Sequence, residues 1–122
     1  MRVIVCGSRK WPDPVKVGHE LTQLCVRLGP FQLIHGDCAT GADAAAHHWF
    51  EIAGRDLGCI EHRYPAEWDK HGKAAGPMRN KKMVEAGADL VLAFLHGPSN
   101  GTRNTISLAA EAGIEVWRFE TA

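Results

Sequence analysis

Three times in this chain a short apolar run ends at a glycine and gives way to a helix-forming segment. Residues 2–6 lead to Gly7, residues 31–34 to Gly36, and residues 89–95 to Gly97. The first and third runs are apolar on both faces, as strands buried in a parallel sheet must be, and the second is a short run of buried-strand type bounded by Pro30 and Gly36. The segments that follow carry helix signals. Asp13 can cap a helix with Pro14 at its first position, running to about Leu28 before Gly29-Pro30 stops it. Val15, Leu21, Leu24, Cys25 and Leu28 would form its buried stripe. An Ala-rich helix is predicted from Ala42 to about Ala53, ended by Gly54, and another from Ile106 to Ala112, closed by Gly113.

The remaining segments complete the pattern. Residues 58–63 read as a more polar strand near a sheet edge, and residues 114–119 as the last strand. Gly76-Pro77 opens a helix that reaches about Ala86, before Gly87. Residues 64–73 mix aromatics, charges and a proline without a period, and read as an ordered loop over the top of the sheet. Strands alternating with helices of roughly 10–15 residues imply a parallel sheet. The expected fold class is α/β: a Rossmann-like three-layer fold with a mainly parallel sheet of about five strands and helices on both faces. With 122 residues, the chain suits one domain spanning 1–122. Right-handed crossovers then bring the loops at Gly7, Gly36 and Gly97 to one cleft at the carboxyl edge of the sheet.

Charge and composition narrow the function classes. Fourteen basic and fourteen acidic side chains cancel, so no global field draws the chain to nucleic acid or an anionic membrane. No apolar run approaches the roughly 20 residues of a membrane helix. The N-terminal residues enter a strand without a signal-peptide pattern, which predicts a cytoplasmic protein. Cys6, Cys25, Cys38 and Cys59 lie far apart and are expected to be buried free thiols rather than metal ligands. His47 and His48 are neighbours, about 100° apart on a helix, and read as a rim pair rather than a metal face. No metal site is expected.

The glycine loops suggest an anion. Gly36 and Gly41, with four residues between, are spaced like part of a phosphate loop but lack the Gly-Lys-Ser/Thr ending, and no GxGxxG is present. ATP hydrolysis and a standard dinucleotide fingerprint are therefore disfavoured. Backbone amides with Ser8, Thr40 and Thr102 could cradle a phosphate, and Arg9, Arg79 or Arg103 could clamp it. Asp37 and Asp43 could accept ribose hydroxyls, although Asp43 also suits a helix's first turn on its own account. Trp11, Tyr64 and Trp68 are each either base-stacking or core and rim aromatics, and Arg79, Lys81 and Lys82 either meet an anion or form a solvated face.

Four ordered motifs carry a resemblance: Cys6-Gly7-Ser8-Arg9, Gly36-Asp37-x3-Gly41-Ala42-Asp43, Ala75-Gly76-Pro77-x-Arg79-Asn80 and Gly101-Thr102-x-Asn104. Together they resemble the small bacterial and phage proteins of the YspA/YpsA-related SLOG family. Its superfamily includes the Lonely Guy phosphoribohydrolases and the DNA-processing protein DprA. The resemblance implies a Rossmann-like sheet that binds a nucleotide or nucleotide-derived ligand (AMP, ADP-ribose or NAD-like), often in a homodimer or larger homo-oligomer. The implied binding residues are Gly7, Ser8 and Arg9 in the first loop and Gly36, Asp37, Thr40, Gly41, Ala42 and Asp43 in the second. Arg79, Asn80, Gly101, Thr102 and Asn104 follow from the later motifs; Gly97, from the convergence of the glycine loops, and Trp68, from the aromatic loop, complete the candidate set.

Lonely Guy proteins carry Pro-Gly-Gly-x-Gly-Thr-x-x-Glu, whose glutamate works with an upstream arginine. Here Thr105 stands at the glutamate's place, while Arg79 matches the arginine. Two readings follow. One is a sensor or sequestering module that binds its ligand intact. The alternative is a nucleoside 5′-monophosphate phosphoribohydrolase, with Arg79 and Asp43 as its candidate catalytic residues and Asp37 or Glu67 as substitutes for the missing carboxylate. No cofactor is required by either; a magnesium ion accompanying the ligand phosphate is the one addition this reading admits. A nucleic-acid partner, by analogy with DprA, is disfavoured by the charge balance.

Overall fold

The computed structural model describes residues 1–121. Five strands, β1 (Arg2–Gly7), β2 (Gln32–His35), β3 (Ile60–Arg63), β4 (Leu90–His96) and β5 (Glu115–Thr121), form one sheet in the order β3-β2-β1-β4-β5. Every neighbouring pair is parallel. The helices are α1 (Pro14–Leu28), α2 (Gly41–Trp49), the short α3 (Trp68–His71), α4 (Ala75–Glu85) and α5 (Asn100–Glu111).

Side chains alternate across each strand and so divide the core into two layers. Val3, Val5, Leu33, Leu92 and Phe94 face α1 and α2. Ile4, Cys6, Ile34, Val91 and Leu95 face α4 and α5. Helices therefore cover both faces of an all-parallel sheet, which is the three-layer Rossmann-like arrangement. From β1 the chain steps outward to β2 and β3, then returns to add β4 and β5 on the other side. The direction of winding reverses between β1 and β4, and such a reversal opens a crevice beyond the carboxyl ends of the two strands. Among the described residues no helix is long and apolar enough to cross a membrane.

Several elements differ from the sequence expectation. In α1 the buried stripe is Val17, Leu21, Leu24 and Cys25, whereas Val15 and Leu28 are 79% and 61% exposed. Val15 lies about 200° from Val17 around the helix, so it faces away from the sheet. Leu28, in the final turn, lines a groove with Trp117. The second helix starts at Gly41 and becomes a π-helical turn over Phe50–Gly54 instead of running evenly to Ala53. The wider turn lets the adjacent Trp49 and Phe50 both be buried, with Gly54 so close that a Cβ there would stand 2.6 Å from the Trp49 ring. The loop at 64–73 contains α3 and passes through a 3-10 turn (Gly72–Ala74) into α4. Most consequential, α5 begins at Asn100 rather than Ile106, which makes Gly101, Thr102, Asn104 and Thr105 helical. Glycine and asparagine suggest a loop in sequence, yet a first turn tolerates both. Finally, Cys6, Cys25 and Cys59 are buried thiols as expected, but Cys38 is only half-buried.

Phe94 ties the sheet to the loop after β1. Its fully buried ring stacks on Phe119 at 4.9 Å and meets Trp11 edge-on at 5.3 Å. Phe94→Ala should cost about 3–5 kcal/mol of stability, read as a lowered urea midpoint with unchanged slope.

Candidate functional site

A cleft of about 710 Å³ opens at the carboxyl ends of β1 and β4, where the winding reverses. The β1 loop supplies Gly7, Ser8, Arg9 and Lys10 to one wall. The β4 loop and the first turns of α5 supply His96, Gly97, Ser99, Gly101, Thr102 and Asn104. Arg79, Asn80 and Met83 enter from α4, Gly36, Cys38 and Asp43 from the β2 side, and Trp68 and Lys73 from the segment between β3 and α4. Four cations (Arg9, Lys10, Lys73, Arg79) line this space against one acid, Asp43. An anion is the ligand such a lining favours.

The first two glycine loops meet backbone to backbone. Ser8 N–H donates to Phe94 O at 2.9 Å, and Ser8 O accepts the N–H groups of Trp11 (3.1 Å) and Ala42 (3.3 Å). A Cβ at Gly7 would stand 2.5 Å from the Ala42 Cβ, and one at Gly41 (φ 72°) would run into Ser8 O. Both positions thus exclude side chains on contact grounds, and Gly41 on backbone grounds as well.

Arg79 organises the opposite wall. Its Nη1 donates to Gly36 O and to Tyr64 O (3.3 Å), and its Nε to Asn80 Oδ1 (2.8 Å). Nη2 makes no hydrogen bond among the described residues, so two of the five guanidinium donors remain for a ligand. Asn80 Nδ2 donates onward to Gly101 O (3.2 Å) and Asn104 Oδ1 (3.1 Å), which laces α4 to the start of α5. Thr105 is buried and donates to Gly101 O at 3.3 Å, so its hydroxyl turns back onto its own helix. Over the mouth, the Arg9 guanidinium lies 5.2 Å from the centre of the half-exposed Trp68 ring, a cation–π contact.

Asp43, in the first turn of α2, is 6% exposed and its Oδ2 accepts the Cys38 N–H at 3.3 Å. Burial pushes its carboxyl above the usual range, against the lowering influence of His35, the Cys38 hydrogen bonds and Arg79. Burial, then the Asp43 charge, likewise push the Cys38 thiol up, so it stays protonated.

The structure does not bring every expected residue to the cleft. Asp37, Thr40, Gly41 and Ala42 lie outside its lining. Asp37 instead stands 3.8 Å from Arg63, Thr40 precedes α2, and Ala42 is fully buried behind Gly7. Trp11 is core, with its indole N–H donating to Asp13 O at 2.7 Å, and Tyr64 packs in the layer under α4. Cys38, Lys73 and His96 line the cleft without having been singled out for it. Only the sheet-edge position of their loops could have marked them.

Beside the cleft, Glu61 Oε2 contacts His35 Nε2 at 2.7 Å and His47 Nδ1 at 2.8 Å, while Arg63 Nε donates to Oε1 at 3.0 Å. The atoms are close enough to suggest a metal centre. However, Asp37 N–H donates to His35 Nδ1 at 3.0 Å, so the neutral ring carries its proton on Nε2 and gives it to Glu61. That leaves Nε2 no lone pair for an ion, and the set is a hydrogen-bonded clasp between β2, β3 and α2. The same Asp37 N–H bond supports a left-handed backbone at Asp37 (φ 55°), unusual for a residue other than glycine.

A parallel sheet wound from its middle, with a cationic crevice at the reversal, defines a Rossmann-like α/β protein. The chain belongs to the YspA, cpYpsA-related SLOG family, whose model matches residues 1–71. The Gene 61 protein of Mycobacterium phage D29 is 40% identical over 121 residues, which span 97% of this chain and 95% of the phage protein. No solved structure matches the chain significantly. Family membership points to nucleotide-related binding or processing without specifying a ligand.

Glu61 makes the clasp measurable. Burial alone would raise its carboxyl, but the hydrogen bonds from His35, His47 and Arg63 outweigh burial and bring it from 4.5 to about 2. A lowered carboxyl stabilises the fold above its ordinary value, and that contribution is lost as the pH falls through the folded value. Wild-type stability should therefore drop between about pH 4.5 and pH 2 relative to Glu61→Gln, when both are followed by denaturant titration at stepped pH. Parallel acid limbs in the two proteins would show that the clasp does not hold the carboxylate.

Proposed function

We propose that the cleft binds a nucleotide or nucleotide-derived ligand, of the AMP, ADP-ribose or NAD kind, and holds it intact as a sensor or sequestering module. The observation that carries this reading is the pairing of free donors with a cationic lining. Arg79, a lining residue of the crevice, keeps two unpaired donors on Nη2, and the first turn of α5 borders the same space with Gly101 and Thr102. Amides at a helix start and an arginine fork are a common means of holding a phosphate. Trp68 at the mouth offers a face on which a base could stack. Asp43 is the single acid of the lining, so a magnesium ion arriving with the ligand would be held mainly by phosphate oxygens.

A second reading, hydrolysis of the N-glycosidic bond of a nucleoside 5′-monophosphate, is favoured by one observation. Asp43 puts a nearly buried carboxyl, raised by burial, inside the cleft, where an acid or base for such chemistry would be needed. Against it, Thr105 offers only a hydroxyl already bonded to Gly101 O.

Chromatography of the protein incubated with AMP, NAD and ADP-ribose separates the two readings. Intact nucleotide co-eluting with protein is expected; release of adenine from AMP would favour hydrolysis. Arg79→Ala should weaken AMP binding by about 1.5–3 kcal/mol, roughly 10- to 150-fold in titration calorimetry. Unchanged affinity in a folded variant would take the arginine out of the site.

A further inference from the structure

Asp43 has a second carboxylate oxygen that the fold leaves unused. Oδ2 accepts the Cys38 N–H, and this bond with the position in the first turn of α2 accounts for one half of the group. Oδ1 accepts no N–H or O–H among the described residues, the Cys38 thiol being the one other donor to the carboxyl. It is not enclosed either, because His96 Nδ1 is the one enclosed side-chain polar atom there without a partner. No cation lies within ion-pair distance of Asp43 among the described residues. A carboxylate with little solvent is costly to hold charged, and burial pushes this group up despite the lowering influence of His35, the Cys38 hydrogen bonds and Arg79.

The position of Asp43 limits what that donor can be. It lies on the β2 side of the cleft, with the β1 loop between it and the start of α5. Arg79, whose guanidinium approaches Gly36 as Asp43 Oδ2 does, and the amides at the start of α5 favour the anionic part of a ligand, while the carboxylate itself repels it. The group that meets Oδ1 is therefore a neutral donor. In a nucleotide the neutral donors nearest the phosphate are the ribose hydroxyls.

We infer that Asp43 is the ribose-recognition residue of this cleft, its Oδ1 accepting hydrogen bonds from the vicinal 2′- and 3′-hydroxyls, so that the site selects ribonucleotides over deoxyribonucleotides. The inference rests on the nucleotide reading above and assigns one of its parts to one atom. Asp37, the other acid of the same loop, has no share in this, because it lies outside the lining beside Arg63.

Titration calorimetry of AMP, 2′-deoxy-AMP and 3′-deoxy-AMP against wild type, Asp43→Asn and Asp37→Asn tests the assignment. Wild type should bind AMP roughly 10- to 100-fold more tightly than either deoxy analogue, the usual scale for one hydrogen bond to a charged group. In Asp43→Asn the amide oxygen can keep the Cys38 N–H while the acceptor facing the cleft is lost, so the ratio should shrink to within about three-fold. Asp37→Asn should keep the full ratio. Equal binding of AMP and its deoxy analogues by wild type would overturn the inference while leaving nucleotide binding in place. So would a full ratio in Asp43→Asn, whose thermal melt reports whether the variant is folded. Absence of any nucleotide binding by wild type would instead overturn the nucleotide reading, and the ribose assignment with it.

Discussion

The approach of two main chains at the base of the cleft sets what else can happen there. The Ser8 carbonyl serves both the turn after β1 and the Ala42 amide in the first turn of α2, and it can do so only because Gly41 presents no Cβ. Gly7 is held between Ala42 and the Phe94 carbonyl in the same way. The β1 loop, the start of α2 and the end of β4 are therefore fixed relative to one another by backbone contacts. Arg79 and Asn80 extend this frame to the remaining loops through main-chain carbonyls at Gly36, Tyr64 and Gly101. The cleft is bordered by segments that belong to one hydrogen-bonded unit.

That frame explains which parts of the protein were legible from sequence. Strands β1 and β4 are apolar on both faces because helices cover both faces, and this reads directly from RVIVC and LVLAFL. The convergence of Gly7, Gly36 and Gly97 follows from parallel order and crossover handedness, which need no side-chain detail. The early start of α5 was not legible, because Asn100-Gly101 fits a loop as well as a helix's first turn, and packing against α4 through Asn80 decides between them. Trp11 was open between stacking and core, and its contact with Phe94, distant in sequence, settles it.

The site was legible in outline and less so in roles. A glycine loop with two aspartates does not say which acid faces the ligand. The left-handed turn at Asp37, stabilised by His35, directs one acid towards Arg63, while the first turn of α2 keeps the other in the cleft. Glu61 gave no local signal at all; its partners come from three elements and only the parallel pairing of β2 with β3 brings it to His35. Arg79 reads from sequence as an anion partner or a solvated cation, yet most of its donors hold the protein's own carbonyls.

This division of the guanidinium has a kinetic and entropic meaning. A long charged side chain normally loses rotamer freedom when a ligand immobilises it, about 1.5–2 kcal/mol for arginine. Arg79 has already lost that freedom on folding, so its remaining donors stand ready before any ligand arrives. Arg9 and Lys73 lack such anchors: Arg9 rests on the face of a half-exposed tryptophan, and the Lys73 side chain makes no hydrogen bond among the described residues. Arg79 thus acts as a rigid contact, and Arg9 and Lys73 as adaptable ones. A ligand meeting them would register first against the fixed guanidinium and be enclosed by the others second.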